Sequence, residues 1–167
     1  MEKRRVFIAD IVRTPLGKPG GSLERFMASD LSAPVILKLL ERTKTEPLEV
    51  GQTVIGQSLP STMPNNLGHY AWLKAGLPVE VPGYTVQENA NSGLQALRNA
   101  FWLIAAGEEE TVLAGGADSY SSAPFVMRNV RLHFDPKDRM VIDSLDEAEC
   151  CTQPEALTRQ QKYALAH

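Results

Sequence analysis

The chain has 167 residues, 43% of them hydrophobic and 22% charged, with 17 basic residues against 20 acidic ones and a formal net charge of -3. That is enough apolar material for a globular core, and with no basic block beyond Lys3-Arg4-Arg5 there is no footprint for a nucleic-acid backbone. The longest apolar stretches, such as Ala100 to Ala106, fall short of the ~20 residues a membrane helix needs, and the N-terminus lacks a signal-peptide core. The reading is therefore a soluble, cytoplasmic protein with no membrane partner.

Val6-Phe7-Ile8-Ala9 favours a strand that breaks at Arg13-Thr14-Pro15-Leu16-Gly17. After the Gly20-Gly21 loop, Ser29-Asp30 is expected to cap a helix carrying Leu31, Val35, Leu39 and Leu40 and ending near Lys44, with Pro34 in its first turn. Val54-Ile55, within 50–56, marks a second strand. A helix over 65–75 follows, with Leu67, Tyr70, Ala71 and Leu73, stopped by Gly76. Gly83-Tyr84-Thr85-Val86 is a third strand candidate, and from Asn91 a helix places Leu94, Leu97, Phe101 and Ile104 on one face until Gly107. Thr111-Val112-Leu113-Ala114 is apolar like a buried parallel strand and is followed by the sharp turn Gly115-Gly116.

Strands alternating with helices predict an α/β fold, a mixed but mainly parallel sheet with crossover helices, over residues 1–117. Residues 118–167 read as a loop subdomain and the start of a following helix near Thr158; the chain ends at Tyr163-Ala164-Leu165-Ala166-His167 with no helix stop. The two cysteines, Cys150 and Cys151, are adjacent. They make neither a disulfide framework nor a zinc site, and read as reduced structural or surface thiols; no metal is expected.

The junction from Val86 to Leu94, Val86-Gln87-Glu88-Asn89-Ala90-Asn91-Ser92-Gly93-Leu94, carries the strongest chemical signal. Here a strand turns tightly into a long helix, and a side chain at position 90 stands at the helix N-terminus. Free N–H groups and the positive end of the helix dipole lower the pKa of a thiol at such a place and make it a good nucleophile. The residue present is Ala90, which carries no nucleophile.

Along nearly its whole length the chain resembles the N-terminal half of a thiolase, the family that transfers acyl groups between coenzyme A thioesters. The resemblance is carried by 12–17 with Gly20-Gly21-Ser22-Leu23, by Leu73-Lys74-Ala75-Gly76-Leu77-Pro78, by Val86 through Leu94, by Ala114-Gly115-Gly116 and by Ser122-Ala123-Pro124. It implies that Ala90 occupies the position of the nucleophilic cysteine, and that Asn66 and, beside position 90, Asn89, Ser92 and Gly93 are the binding residues. It also implies that Asn66 matches the asparagine of the family's Gly-Gln-Asn segment, and that His69 stands where an arginine is expected.

The activity so implied is ping-pong acyl transfer in fatty acid metabolism, either thiolytic cleavage of a 3-oxoacyl-CoA or Claisen condensation. Coenzyme A thioester is the substrate and no separate cofactor is used. The second catalytic cysteine and the activating histidines belong to the family's C-terminal half, which this chain does not include. Expected partners are acyl-CoA and either a second copy in a homo-oligomer or a chain supplying the second half, so that an apolar face is left exposed.

Among neighbouring residues, Ser92 reads as satisfying first-turn N–H groups rather than as a substitute nucleophile. Glu88 and Asn89 read as a solvated or interface-facing pair, and His69 and His133 as structural. Asp118-Ser119-Tyr120 is the lip of the acyl pocket by analogy and a polar loop by composition. Two functions compete: an acyltransferase made inactive by alanine at position 90 and by the absent half, and a non-catalytic subunit that binds a partner chain or acyl-CoA.

Overall fold

The computed structural model describes residues 4–59, 63–128, 130 and 140–152. The chain divides into two units, residues 1–122 and 123–167. In the first, the order is α1 (Ala28–Thr43), a short 3-10 turn (Pro47–Glu49), β1 (Gln52–Gly56), α2 (Leu67–Lys74), β2 (Gly83–Val86), α3 (Ser92–Ala106), β3 (Val112–Gly116) and a second 3-10 turn (Tyr120–Ser122). The second holds an antiparallel pair, β4 (Phe125–Val126) and β5 (Ile142–Asp143), followed by α4 (Ser144–Thr152).

The main sheet has the order β2-β1-β3 and is parallel throughout. β1 is the central strand and the most continuously buried, with Thr53 to Gly56 all buried. Its two neighbours follow it in sequence on opposite sides, so the two right-handed crossovers place their helices on opposite faces. Side-chain alternation agrees. Thr53 Oγ1 donates to the Gly68 carbonyl of α2, whereas one alternation away a Cβ on Gly56 would meet the backbone of Ser92 in α3. Ile55 joins Leu67, Ala71 and Trp72 of α2 and Ile36 and Leu40 of α1 in the principal core.

α1 starts earlier than the sequence indicates. Met27 is its N-cap residue and accepts no capping role from a side chain of its own; instead Asp30, one turn in, takes the Met27 N–H at 2.8 Å. Pro34 consequently lies inside the helix, where its missing N–H removes one ladder bond, and the buried stripe runs through Ser29, Ala33, Ile36 and Leu40. In α3 the expected apolar residues do share a face, but it is not the face on the sheet. Ser92, Ala96 and Ala100 pack inward because the sheet approaches too closely for larger groups, and Leu94, Leu97, Phe101 and Trp102 are exposed.

The expected first strand is not formed. Residues 6–9 pair with no strand among the described residues, and Phe7 and Ile8 are each 76% exposed. Strand propensity measures fit to a half-buried pleated surface, and none is offered to this segment here. The helix expected from Thr158 lies outside the described residues.

One ion pair joins α1 to α2: Lys74 Nζ meets the Asp30 carboxylate. The ammonium, and then the Met27 N–H, hold the Asp30 pKa below its ordinary value, and the same contact holds Lys74 above its own. The lowered carboxylate pKa means stability that is present above about pH 4 and lost as pH falls through the folded-state value, and the raised Lys74 gives stability lost only in strong alkali. We predict that Asp30→Ala lowers stability by roughly 1 kcal/mol at neutral pH. Thermal melts in acid well below the reference value of 3.8 should show the two proteins converging.

Candidate active site

All three strands of the main sheet point their C-terminal ends the same way, and the register aligns Gly56 with both Val86 and Gly116. The chain leaves that edge in three loops. In open parallel sheets this is the edge where ligands bind, because helix N-termini converge there.

The β2–α3 turn is built from its own side chains. The Glu88 N–H donates to Ser92 Oγ at 2.8 Å, and the Ser92 hydroxyl donates to the Asn89 carbonyl at 2.6 Å. Asn89 adopts a left-handed conformation, φ +51°, which asparagine tolerates better than most residues and which reverses the chain within one residue. Asn91 Nδ2 donates to Glu88 Oε2 at 2.8 Å, and the Asn91 and Ser92 N–H groups return to the carbonyls of Glu88 and Asn89. Ala90 stands at the apex, exposed, directly before Asn91, the N-cap of α3.

Ser92 is 1% exposed, and both its proton and an acceptor lone pair are engaged within the turn. It satisfies the Glu88 N–H rather than a first-turn N–H, and a hydroxyl so tied and so buried is not placed to attack a thioester. Gly93 lies against the sheet: a Cβ on Gly116 would come within 3.1 Å of the Gly93 Cα, and a Cβ on Gly56 would come within 2.3 Å of the Ser92 carbonyl group. Backbone therefore touches backbone at the helix start.

Asn66 is the N-cap of α2. Its Oδ1 accepts from the His69 N–H and from Thr85 Oγ1, both at 3.2 Å, and its Nδ2 donates to the Gly83 carbonyl at 2.8 Å. The side chain thus fastens α2 to the body of β2, and none of these bonds reaches the turn at Ala90. His69 is half-buried, with its Nε2 buried and without a hydrogen-bond partner among the described residues. Ser119 Oγ donates to the Phe26 carbonyl at 2.7 Å and Tyr120 is exposed. His133 lies outside the described residues; Cys150 and Cys151 lie in the backbone of α4. Among the described residues no group of three His, Cys, Asp or Glu is placed to hold a metal ion, and no helix is long and apolar enough to cross a membrane.

Two features of the site escape sequence reading. Asp118, read as part of a polar loop, accepts the N–H groups of Ser58 and Leu59 at 2.9 to 3.1 Å, and Gln87 Nε2 donates to the Ser58 carbonyl at 3.3 Å. Gly56 carries no motif of its own; the signal available was its place at the end of the central strand. Replacing Gly56 by alanine should force the Ser92 backbone away and lower stability by about 1–3 kcal/mol, measured by chemical denaturation.

The family model described as thiolase, N-terminal domain, matches residues 6–164. A probable acetyl-CoA acyltransferase of Staphylococcus epidermidis is 34% identical over 141 residues, 84% of this chain and 36% of that protein. One of Staphylococcus aureus is 35% identical over the same length and shares. Among solved structures, the Bacillus anthracis acetyl-CoA acetyltransferase superposes with a TM-score of 0.77 at 34% identity, covering 82% of this chain and 35% of that one. Human mitochondrial 3-ketoacyl-CoA thiolase gives 0.74 at 35% identity, covering 81% and 35%. The chain therefore spans about a third of the length of the curated relatives it matches.

Proposed function

Because this chain belongs to the thiolase family and shares its α/β fold, we propose that it is part of an acyltransferase acting on coenzyme A thioesters, with the reaction centred on the turn that presents position 90. The observation that carries this reading is the turn itself: an exposed side chain held at the start of a 15-residue helix, at the C-terminal edge of a parallel sheet. On this reading the reaction is either thiolysis of a 3-oxoacyl-CoA or the reverse condensation, in cytoplasmic fatty acid metabolism.

Covalent transfer requires a group that attacks the thioester carbonyl, expels the CoA thiolate and holds the acyl group for the second substrate. A methyl group does none of this. With Ala90 in place and Ser92 engaged inside the turn, the chain as it stands forms no acyl-enzyme. Asn89 and Gly93 are the residues we assign to binding the thioester, since the Asn91 and Ser92 N–H groups are already bonded within the turn, with Asn66 holding α2 against β2 beneath them.

The test is intact-mass analysis after incubation with acetyl-CoA. No adduct is expected on the unaltered chain, and a stoichiometric acyl adduct would overturn the reading. In Ala90→Cys, the introduced thiol should react with iodoacetamide at a half-reaction pH below the ~8.5 of an ordinary cysteine. Peptide mapping separates it from Cys150 and Cys151.

A second reading is a non-catalytic subunit that binds acyl-CoA or pairs with another chain; it rests on the alanine at position 90 together with the outward apolar face of α3, a face the first reading expects as well. Leu94, Leu97, Phe101 and Trp102 form an exposed group of the kind that marks an interaction surface. On this reading the chain associates with itself or with a chain carrying the second thiolase half. It should bind a hydrophobic dye and scatter light as an oligomer; a dye-silent monomer would contradict it.

A further inference from the structure

The parallel ladder continues for one residue past the strands, through the Gln57 N–H to the Val86 carbonyl at 2.9 Å and the Ala117 N–H to the Gly56 carbonyl at 3.1 Å. There it ends. Backbone N–H groups leaving a sheet edge without a partner are costly when half-buried, and Ser58 and Leu59 are half-buried. Asp118, the second residue past β3, supplies the partner for both. Its Oδ1 accepts from Ser58 at 3.0 Å and Leu59 at 2.9 Å, and its Oδ2 lies 3.1 Å from the Ser58 nitrogen.

That contact fixes the direction in which the Ser58 carbonyl points. Gln87 Nε2 then donates to this carbonyl at 3.3 Å and to Asn89 Oδ1 at 3.4 Å. The exits of all three strands are thus joined in one chain of hydrogen bonds that ends on the left-handed residue next to Ala90. We propose that Asp118 is a positioning residue for the β2–α3 turn, acting through the Ser58 carbonyl and Gln87 to hold the side chain at position 90 in register with the helix N-terminus. The assignment rests on the reading of position 90 as the reaction centre. Asp118 acts through the loop it ties down, its carboxylate holding the Ser58 and Leu59 N–H groups.

Amide hydrogen exchange, read peptide by peptide, tests the proposal on the chain as it exists. Asp118→Ala should speed exchange about tenfold both at 57–59 and at 87–92, leaving α1 unchanged. Faster exchange confined to 57–59 would overturn the proposal. Asp118→Asn keeps an acceptor at Oδ1 and should restore most of the protection. Gln87→Ala approaches from the other side: it should loosen 87–92 while 57–59 stays protected, and a turn as protected as in the unaltered chain would sink the idea even if Asp118→Ala does not fold.

In the Ala90→Cys background the two Asp118 variants remove the same charge, so a difference between them reads positioning alone. The alanine variant should show the higher half-alkylation pH, and identical values would count against the proposal. An ordinary thiol in Ala90→Cys itself would instead refute the reading of position 90, and hydrogen exchange would still decide the role of Asp118.

Discussion

The structure of the first unit depends on how closely the start of α3 approaches the sheet. A single methyl group on Gly56 would be driven into the Ser92 carbonyl, and one on Gly116 would press on the Gly93 Cα at 3.1 Å. Close-packed interiors do not absorb such overlaps without moving backbone. With the approach permitted, the first turn of α3 rests directly on the ends of β1 and β3, and only small side chains fit behind it, which is why Ser92, Ala96 and Ala100 form the inward face. α2 repeats the arrangement on the other face, where a Cβ on Gly68 would come within 2.2 Å of the Tyr84 carbonyl oxygen.

The polar groups at the sheet edge follow from the same approach. A helix that starts so near the strand ends leaves little chain in which to turn, so the reversal falls on one left-handed residue, Asn89, and on a serine whose hydroxyl reaches back to accept from Glu88 and donate to Asn89 at once. At the neighbouring exits side chains take up the backbone groups where the ladder stops: Asp118 for β1, Asn66 for the start of α2. These bonds are local in space but distant in sequence, about 60 residues apart in the case of Asp118 and Ser58.

That separation explains what was legible in the sequence. The alternation of β1, α2, β2, α3 and β3 was plain from periodicity and from Gly76 and Gly107, because each element carries its own signal over a few consecutive residues. The β2–α3 turn was equally legible, since its strand end and helix start are adjacent. Residues 6–9 misled because Val-Phe-Ile reports a preference for a sheet, whereas pairing requires a partner strand. The orientation of α3 misled for a related reason: its apolar face is regular, but which face meets the sheet is decided by Gly56 and Gly116, far from it in sequence. Asp118 was marked only by family analogy, as a pocket lip; its bonds to Ser58 and Leu59 were not legible, because an aspartate shortly after a glycine pair is what any polar loop contains.

One feature of the turn bears on how such a site changes over evolutionary time. The hydrogen bonds that shape it come from Gln87, Glu88, Asn89, Asn91 and Ser92, while the residue at its apex is exposed. Folding therefore constrains the neighbours of position 90 and leaves the apex residue free of those bonds. On the proposed reading, the reactive side chain can be exchanged by a change at one position that leaves the scaffold untouched.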